Sequence, residues 1–226
     1  MRFVPKSRKR SLATKSQSSV RPMAVPNPKG INLDLLRAAL YPAPLSGQFA
    51  GDDGVSGQVL TPASVLFPIV LRESEPFVLL TQRNDNLRDH PGQISFPGGR
   101  VEPEDVSAAH TALREAREEI GLSEAHVEII GYLPDYHTIT GYRVTPVVGL
   151  VTPPFDLRPD PSEVAEIFEV PLAFLMDSAN HQRHSRVHLG TVRQYFAMPY
   201  GDYYIWGATA GMIVALFQAL SGKLDT

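Results

Sequence analysis

Glu115, Glu118 and Glu119 stand within about one turn of a segment whose apolar residues recur at helical spacing. At about 100° per residue, Val106, Ala109, Leu113, Ala116 and Ile120 gather on one side of a helix over 106–120, with the three acids roughly opposite. A solvated acidic face is the ordinary account of such a helix. Two features count against it. Acids three and four residues apart are neighbours and repel, and these sit toward the C-terminal end, where the helix dipole disfavours negative charge. A bound divalent cation offsets both penalties, and carboxylate oxygens suit magnesium or manganese. The chemistry in view is a hard metal ion held against an anionic substrate.

The loop before this helix, FPGGRVEPED at 96–105, brings Pro97, Gly98 and Gly99, where the backbone can turn tightly and approach a ligand closely. Asp105 is the expected helix N-cap, ahead of Ser107. A glycine pair alone mostly makes a turn. A glycine turn leading into a helix that presents three acids suits a metal held against a phosphate chain.

These residues resemble a known family. A glycine, an acid and then Arg-Glu-x-x-Glu-Glu-x-Gly is the Nudix hydrolase signature, and Arg114, Glu115, Glu118, Glu119 and Gly121 match its second half position by position. In the first half Asp105 holds the acidic position, with eight residues between it and Arg114. That variant, with LLTQRNDNLRDHPGQISFPGG at 79–99, resembles the coenzyme A pyrophosphatase branch of the superfamily. The resemblance runs through Leu79, Leu80, Thr81, Arg83, Leu87, Arg88, His90, Gly92, Phe96, Pro97, Gly98 and Gly99, while Asn84 and Gln93 depart from it. A Thr-x-Thr-Gly turn at Thr138, Thr140 and Gly141, and the segments 163–172 and 205–213, resemble the same branch.

The resemblance implies an α/β fold, a Nudix-type α/β/α sandwich with a mixed β-sheet between helices. It also implies Mg2+ or Mn2+ as cofactor, with Glu115, Glu118 and Glu119 as ligands and one of them doubling as base. The reaction implied is hydrolysis of the pyrophosphate of coenzyme A, or its thioesters, to adenosine 3′,5′-bisphosphate and 4′-phosphopantetheine. Arg114 is expected to form an orienting ion pair with Asp105 or a Glu, against a plain surface Arg. Glu163 and Glu166 are the candidates for a further acid from outside the motif, against a solvated surface. Arg83 and Arg88 are candidates for phosphate contacts because guanidinium forks match phosphate oxygens. His90 either joins them or caps the loop, and Thr81, Gly98 and Gly99 complete the substrate-binding set. Tyr142 and Arg143 follow the Thr-x-Thr-Gly turn and line the pocket or pack beside it. Trp206 is read as core in preference to a base-stacking platform. The alternatives are a broader nucleoside-diphosphate hydrolase acting on ADP-ribose or dinucleotides, and a non-catalytic nucleotide-binding module. Homodimerisation is an expectation from the superfamily.

The elements that must position these residues follow from patterning. The segment 31–40 reads as a short amphipathic helix, SVLFPIVLR and PFVLLTQR as strands around a polar turn, and VEIIGYL and VTPVVGLV as two more. EVAEIFEVPLAFLMD reads as a helix or loop leading into a short segment with a helical end, RQYFAMPY and YYIW as strands, and GATAGMIVALFQALSG as a closing helix. Strands and helices mixed in one core predict a sheet covered by helices on both faces. The division is a basic, disordered tail over 1–30, a helix and Pro/Gly-rich lead-in over 31–60, and the hydrolase domain over 61–222.

Charge and composition exclude other classes. The chain of 226 residues has no cysteine, which removes disulfides, zinc–thiolate sites and thiol nucleophiles. Residues 1–30 hold eight Lys or Arg and no acid, and taking those eight from the chain's 21 leaves 13 against 24 acids. An acidic body argues against nucleic acid as partner, and the chain has no apolar run long enough to span a membrane. A small-molecule substrate is the expected partner. The expected location is the cytoplasm, with the Arg- and Ser-rich start as an organelle transit peptide the alternative.

Overall fold

The apolar run from Thr61 to Leu71 shows little polar alternation, and its position explains why. In the computed structural model it is a central strand covered on both faces. The structure describes residues 32–45, 49–51, 59–87, 90–188 and 190–222. The basic segment 1–30 and Arg88 lie outside the described residues.

In chain order the elements are α1 (Leu33–Ala38), β1 (Phe49–Gly51), β2 (Thr61–Leu71), β3 (Pro76–Arg83), β4 (Ile94–Ser95), β5 (Gly98–Arg100) and α2 (Ala108–Ile120). Then come β6 (Val127–Tyr132), β7 (Asp135–His137), β8 (Tyr142–Val151), β9 (Val164–Pro171), α3 (Leu172–Leu175), β10 (Gln182–His188), β11 (Thr191–Tyr200), β12 (Tyr203–Trp206) and α4 (Ala208–Leu220). Among the described residues nine strands form one sheet in the order β1-β7-β8-β2-β3-β4, with β5 added on β2, β6 on β8 and β9 on β3. The β1–β7 and β2–β8 pairs are parallel and the other pairs antiparallel, so the sheet is mixed as expected. An antiparallel sheet β10-β11-β12 stands beside it.

Alternation along the central strands divides the core in two. Leu66, Val70, Leu79, Val147 and Val151 pack against Ala112, Ala116 and Ile120 of α2. Phe67, Leu80 and Val148 face the other way, toward Leu36 of α1, Leu172 and Leu175 of α3, Met198 and Ile205 of the small sheet, and Ile213 and Leu216 of α4. The α/β/α sandwich holds, with the small sheet joining the α4 layer.

Three expectations need correction. The site helix starts at Ala108, capped by Ser107, whose hydroxyl accepts the His110 N–H at 3.1 Å, and Val106 is 87% exposed outside it. Asp105 is not the cap because its carboxylate is committed elsewhere. The stretch expected as helix or loop after Glu163 is strand β9, paired with β3 from Phe77↔Pro171 to Arg83↔Val164, and only Leu172–Leu175 is helical. Its alternation of acid and apolar residues serves a strand whose partner β3 needed covering.

Helix α4 closes on β7 by a contact that only glycine allows. A Cβ on Gly211 would lie 2.5 Å from Cε2 of the buried Tyr136 ring. Gly211→Ala is therefore expected to cost about 1–3 kcal/mol through overpacking. Thermal unfolding checks this, and an unchanged melting temperature would show that the ring yields without cost.

Candidate active site

The site is built outward from one buried carboxylate. The Asp105 side chain is 1% exposed and accepts the Glu102 N–H at 2.9 Å and the Thr111 hydroxyl at 2.9 Å, with His110 Nδ1 2.8 Å from its Oδ1. Arg114 completes its shell, with Nε to Oδ1 at 3.1 Å and Nη2 to Oδ2 at 2.9 Å. This two-point pairing and the other donors hold the Asp105 carboxyl far below the usual carboxylate range. The guanidinium then reaches forward, Nη1 lying 3.0 Å from both Glu115 Oε1 and Glu118 Oε2, while Nη2 also donates to the Arg100 carbonyl at 3.1 Å. Arg114 thus pairs with Asp105 on one side and with Glu115 and Glu118 on the other.

The three glutamates do not share one environment, which corrects the expectation that all face outward. Glu118 is half-exposed, Glu115 is mostly covered, and Glu119 is buried at 6% exposure. Glu119 Oε2 accepts the Gly98 N–H at 3.2 Å. Burial pushes its carboxyl up to about 8, with the negative Glu115 and Glu163 adding to the shift and the Gly98 N–H and Arg83 opposing it. Burial also raises Glu115, against the pull of Arg114. Strand β5 makes this approach possible by pairing with β2 through Ser64↔Gly99 and Val65↔Gly98. A Cβ on Gly98 would sit 2.4 Å from the Ser64 carbonyl, and one on Gly99 2.3 Å from Glu115 Oε1. The glycines contact the carboxylates directly. Gly99→Ala is expected to push Glu115 aside and lower turnover about a hundredfold with folding retained. Steady-state kinetics beside a melting curve test this, and wild-type turnover would refute it.

Backbone bonds lock the helix at both ends. Ser64 Oγ lies 2.8 Å from the Ala108 carbonyl and 3.0 Å from that of Thr145. At the far end Gly121 caps α2 in the left-handed region at φ 69°, and the Arg158 and Asp160 N–H groups take the Ile120 and Glu119 carbonyls, both at 2.8 Å. Ser64, the Arg100 carbonyl and the 158–160 segment were not legible beforehand, because backbone partners leave no residue-type signal.

Arg83 Nε is buried without a hydrogen-bond partner among the described residues, and its charge acts on Glu119. A buried guanidinium Nε without a partner, on a side chain whose charge acts on Glu119, is suited to an anionic ligand. Glu163 is on the same side, its charge felt by Glu115 and Glu119, while its carbonyl accepts the Asn84 N–H at 2.8 Å. Glu166 is not brought there. It accepts the Tyr203 hydroxyl at 2.7 Å and lines a cavity of about 790 Å³ bounded by β3, β4, β9 and β12. Thr81 is also set apart, 1% exposed with its hydroxyl 3.2 Å from both the Ser95 carbonyl and the Ser95 hydroxyl, so it fastens β4 to β3. His90 is exposed at φ 57° in the turn before β4. Tyr142 receives Arg100 Nε and Nη2 on its hydroxyl at 3.1 and 2.6 Å, and Arg143 Nε lies 3.7 Å from Asp135. Trp206, expected in the core, is half-buried on the wall of the large cavity, edge-on to Tyr195.

Among the described residues no three acidic or histidine side chains converge into a ready-made metal shell. Arg114 occupies the space between Glu115 and Glu118. The donor set nevertheless fits a hard divalent ion. It is all carboxylate, and burial disfavours the charged form of its most buried member, a penalty that a cation would relieve.

Residues 60–189 match the family profile described as NUDIX domain. Among curated proteins the chain is 44% identical over 161 residues, 71% of this chain and 83% of the other, to the "Uncharacterized Nudix hydrolase NudL" of Escherichia coli strain K12. It is 43% identical, with the same coverage, to the protein so named in Shigella boydii serotype 18. Among solved structures, the Caenorhabditis elegans Ap4A hydrolase binary complex aligns with a TM-score of 0.43 and 19% identity, over 49% of this chain and 80% of that one. No helix among the described residues is long and apolar enough to cross a membrane.

Proposed function

Since the chain belongs to the NUDIX hydrolase family, we propose that it hydrolyses the pyrophosphate bond of coenzyme A or its thioesters, with magnesium or manganese, to adenosine 3′,5′-bisphosphate and 4′-phosphopantetheine. The diphosphate half of this reading is carried by the unpartnered Nε of Arg83, buried where its charge meets Glu119. The coenzyme A half is supported by residues 79–99, which resemble that branch of the superfamily.

Glu115, Glu118 and Glu119 would hold the metal, which when bound supplies an acidified water and a clamp on the phosphate oxygens. Arg83 would neutralise charge on the phosphoryl oxygens, a demand that grows as the phosphoanhydride breaks. The Gly98 N–H aims Glu119, and Arg114 holds Glu115 and Glu118 in register with Asp105. One of the three glutamates takes the proton of the attacking water.

Mass spectrometry of products from coenzyme A and from ADP-ribose, each with magnesium or manganese, tests the proposal. Adenosine bisphosphate and phosphopantetheine are expected. Cleavage of ADP-ribose alone would keep the chemistry and overturn the substrate, and intact ligands throughout would leave a nucleotide-binding module.

A further inference from the structure

Gln82 and Arg83 are consecutive yet serve opposite faces of the sheet. Val78 and Leu80 belong to the core on the α4 side and Leu79 to that on the α2 side. The same alternation carries Arg83 toward Glu119 and Gln82 into the cavity of about 790 Å³ beside β12. Glu166 follows Gln82 there, as its cross-strand partner on β9. Under the proposed function, a ligand whose diphosphate lies at Arg83 has this cavity beside the neighbouring residue Gln82 for one of its two arms.

The lining states what that arm must be. Tyr203, Tyr204 and Trp206 supply aromatic surface, and the Tyr203 ring is held rigid by stacking on Phe168 with centroids 3.7 Å apart at 3°. Gln82 and Gln93 offer amides, and Glu166 and Asp202 offer carboxylate acceptors. Among the described residues no Lys or Arg lines it. Tyr203 occupies Oε1 of Glu166, and Oε2 makes no hydrogen bond among the described residues. Flat aromatic walls with acceptor carboxylates at the rim match a ring that stacks and donates from an exocyclic amine.

We propose that this cavity is the nucleobase site and that it takes adenine, reading the amino edge through Glu166 and Asp202. This deepens the proposed function and rests on the substrate being an adenine nucleotide. It moves Glu166 from the reacting bond to the recognition of the distant base.

Trp206 is the single tryptophan of the chain and lines this cavity, so its emission comes from a residue at the proposed site. The full-length protein, without metal, is titrated with adenosine, uridine and pantetheine while that emission is followed. Adenosine is expected to change it saturably, and uridine and pantetheine not to. Glu166→Gln and Asp202→Asn, each checked by its melting curve, are expected to weaken adenosine about tenfold. A response to pantetheine without one to adenosine would overturn the proposal, as would no response to any of the three or unchanged adenosine affinity in both variants. Because no bond is cleaved in this titration, a failure of coenzyme A hydrolysis leaves its result standing, and the converse holds.

Discussion

Glu119→Gln is expected to lower turnover about a thousandfold and, in metal-free protein at neutral to alkaline pH, to raise the melting temperature. The two effects share a cause. Glu119 is buried beside Glu115 and Glu163, and its carboxyl titrates near 8 in the fold against an ordinary value of 4.5. Between those values the folded state holds a proton that the unfolded chain has released, so stability falls as pH rises through the window. Glutamine has no proton to lose there, and the substitution should return on the order of 2–4 kcal/mol above the window. The stability gap between variant and wild type in chelator should open from about pH 5 to about pH 8, where a neutral isostere meets an ionised carboxylate. Added magnesium or manganese should close it by stabilising the wild type alone. Turnover should drop about a thousandfold, equivalent to roughly 4 kcal/mol of barrier, if Glu119 holds the metal as proposed. Melting curves across pH with and without metal, beside product assays, read both effects. A variant less stable than wild type at alkaline pH without metal would sink this account of the buried charge.

Arg114→Ala is expected to produce the largest loss of stability. Removing the guanidinium leaves Asp105, 1% exposed, without its main counter-charge, and breaking a buried pair from one side costs about 3–5 kcal/mol. His110, Thr111 and the Glu102 N–H remain as partners, which places the expected loss toward the lower end of that range. The carboxyl is held low by the pairing, so the stabilisation is present above the ordinary carboxylate range and is lost only as pH falls well below it. Urea unfolding of Arg114→Ala, Asp105→Ala and the double variant separates the pair from its surroundings, with a coupling of about 2 kcal/mol or more expected. Turnover should fall as well, since Glu115 and Glu118 lose the group that orients them. A loss under about 1 kcal/mol would mean that the other donors suffice for Asp105.

Much of the site was legible because its chemistry is local. The spacing of Glu115, Glu118 and Glu119 on one helix, the glycine turn before it and the pairing of Arg114 with an acid are relations within some twenty residues, and the structure reproduces them. The adjacent strands β2 and β3, the strands β6 and β8 as separate elements and the closing helix α4 were also legible, since runs of that length bury themselves in only a few ways. Strand β9 was missed because an alternating stretch of eight residues between proline-rich turns suits a strand or a short helix until a partner is known, and that partner, β3, lies far away in the chain.

By itself the sequence determined which chemistry the chain carries, a carboxylate-bearing helix behind a glycine turn with an arginine in reserve, because residue type and short spacing survive any folding. Tertiary structure alone decided how each group behaves. It buried Glu119 and left Glu118 half-exposed, turned Glu166 toward Tyr203, withdrew Thr81 behind Ser95 and put Trp206 on a cavity wall. Solvent access and distant partners set those outcomes, and both are properties of the packed sheet and its two faces, which no local spacing encodes.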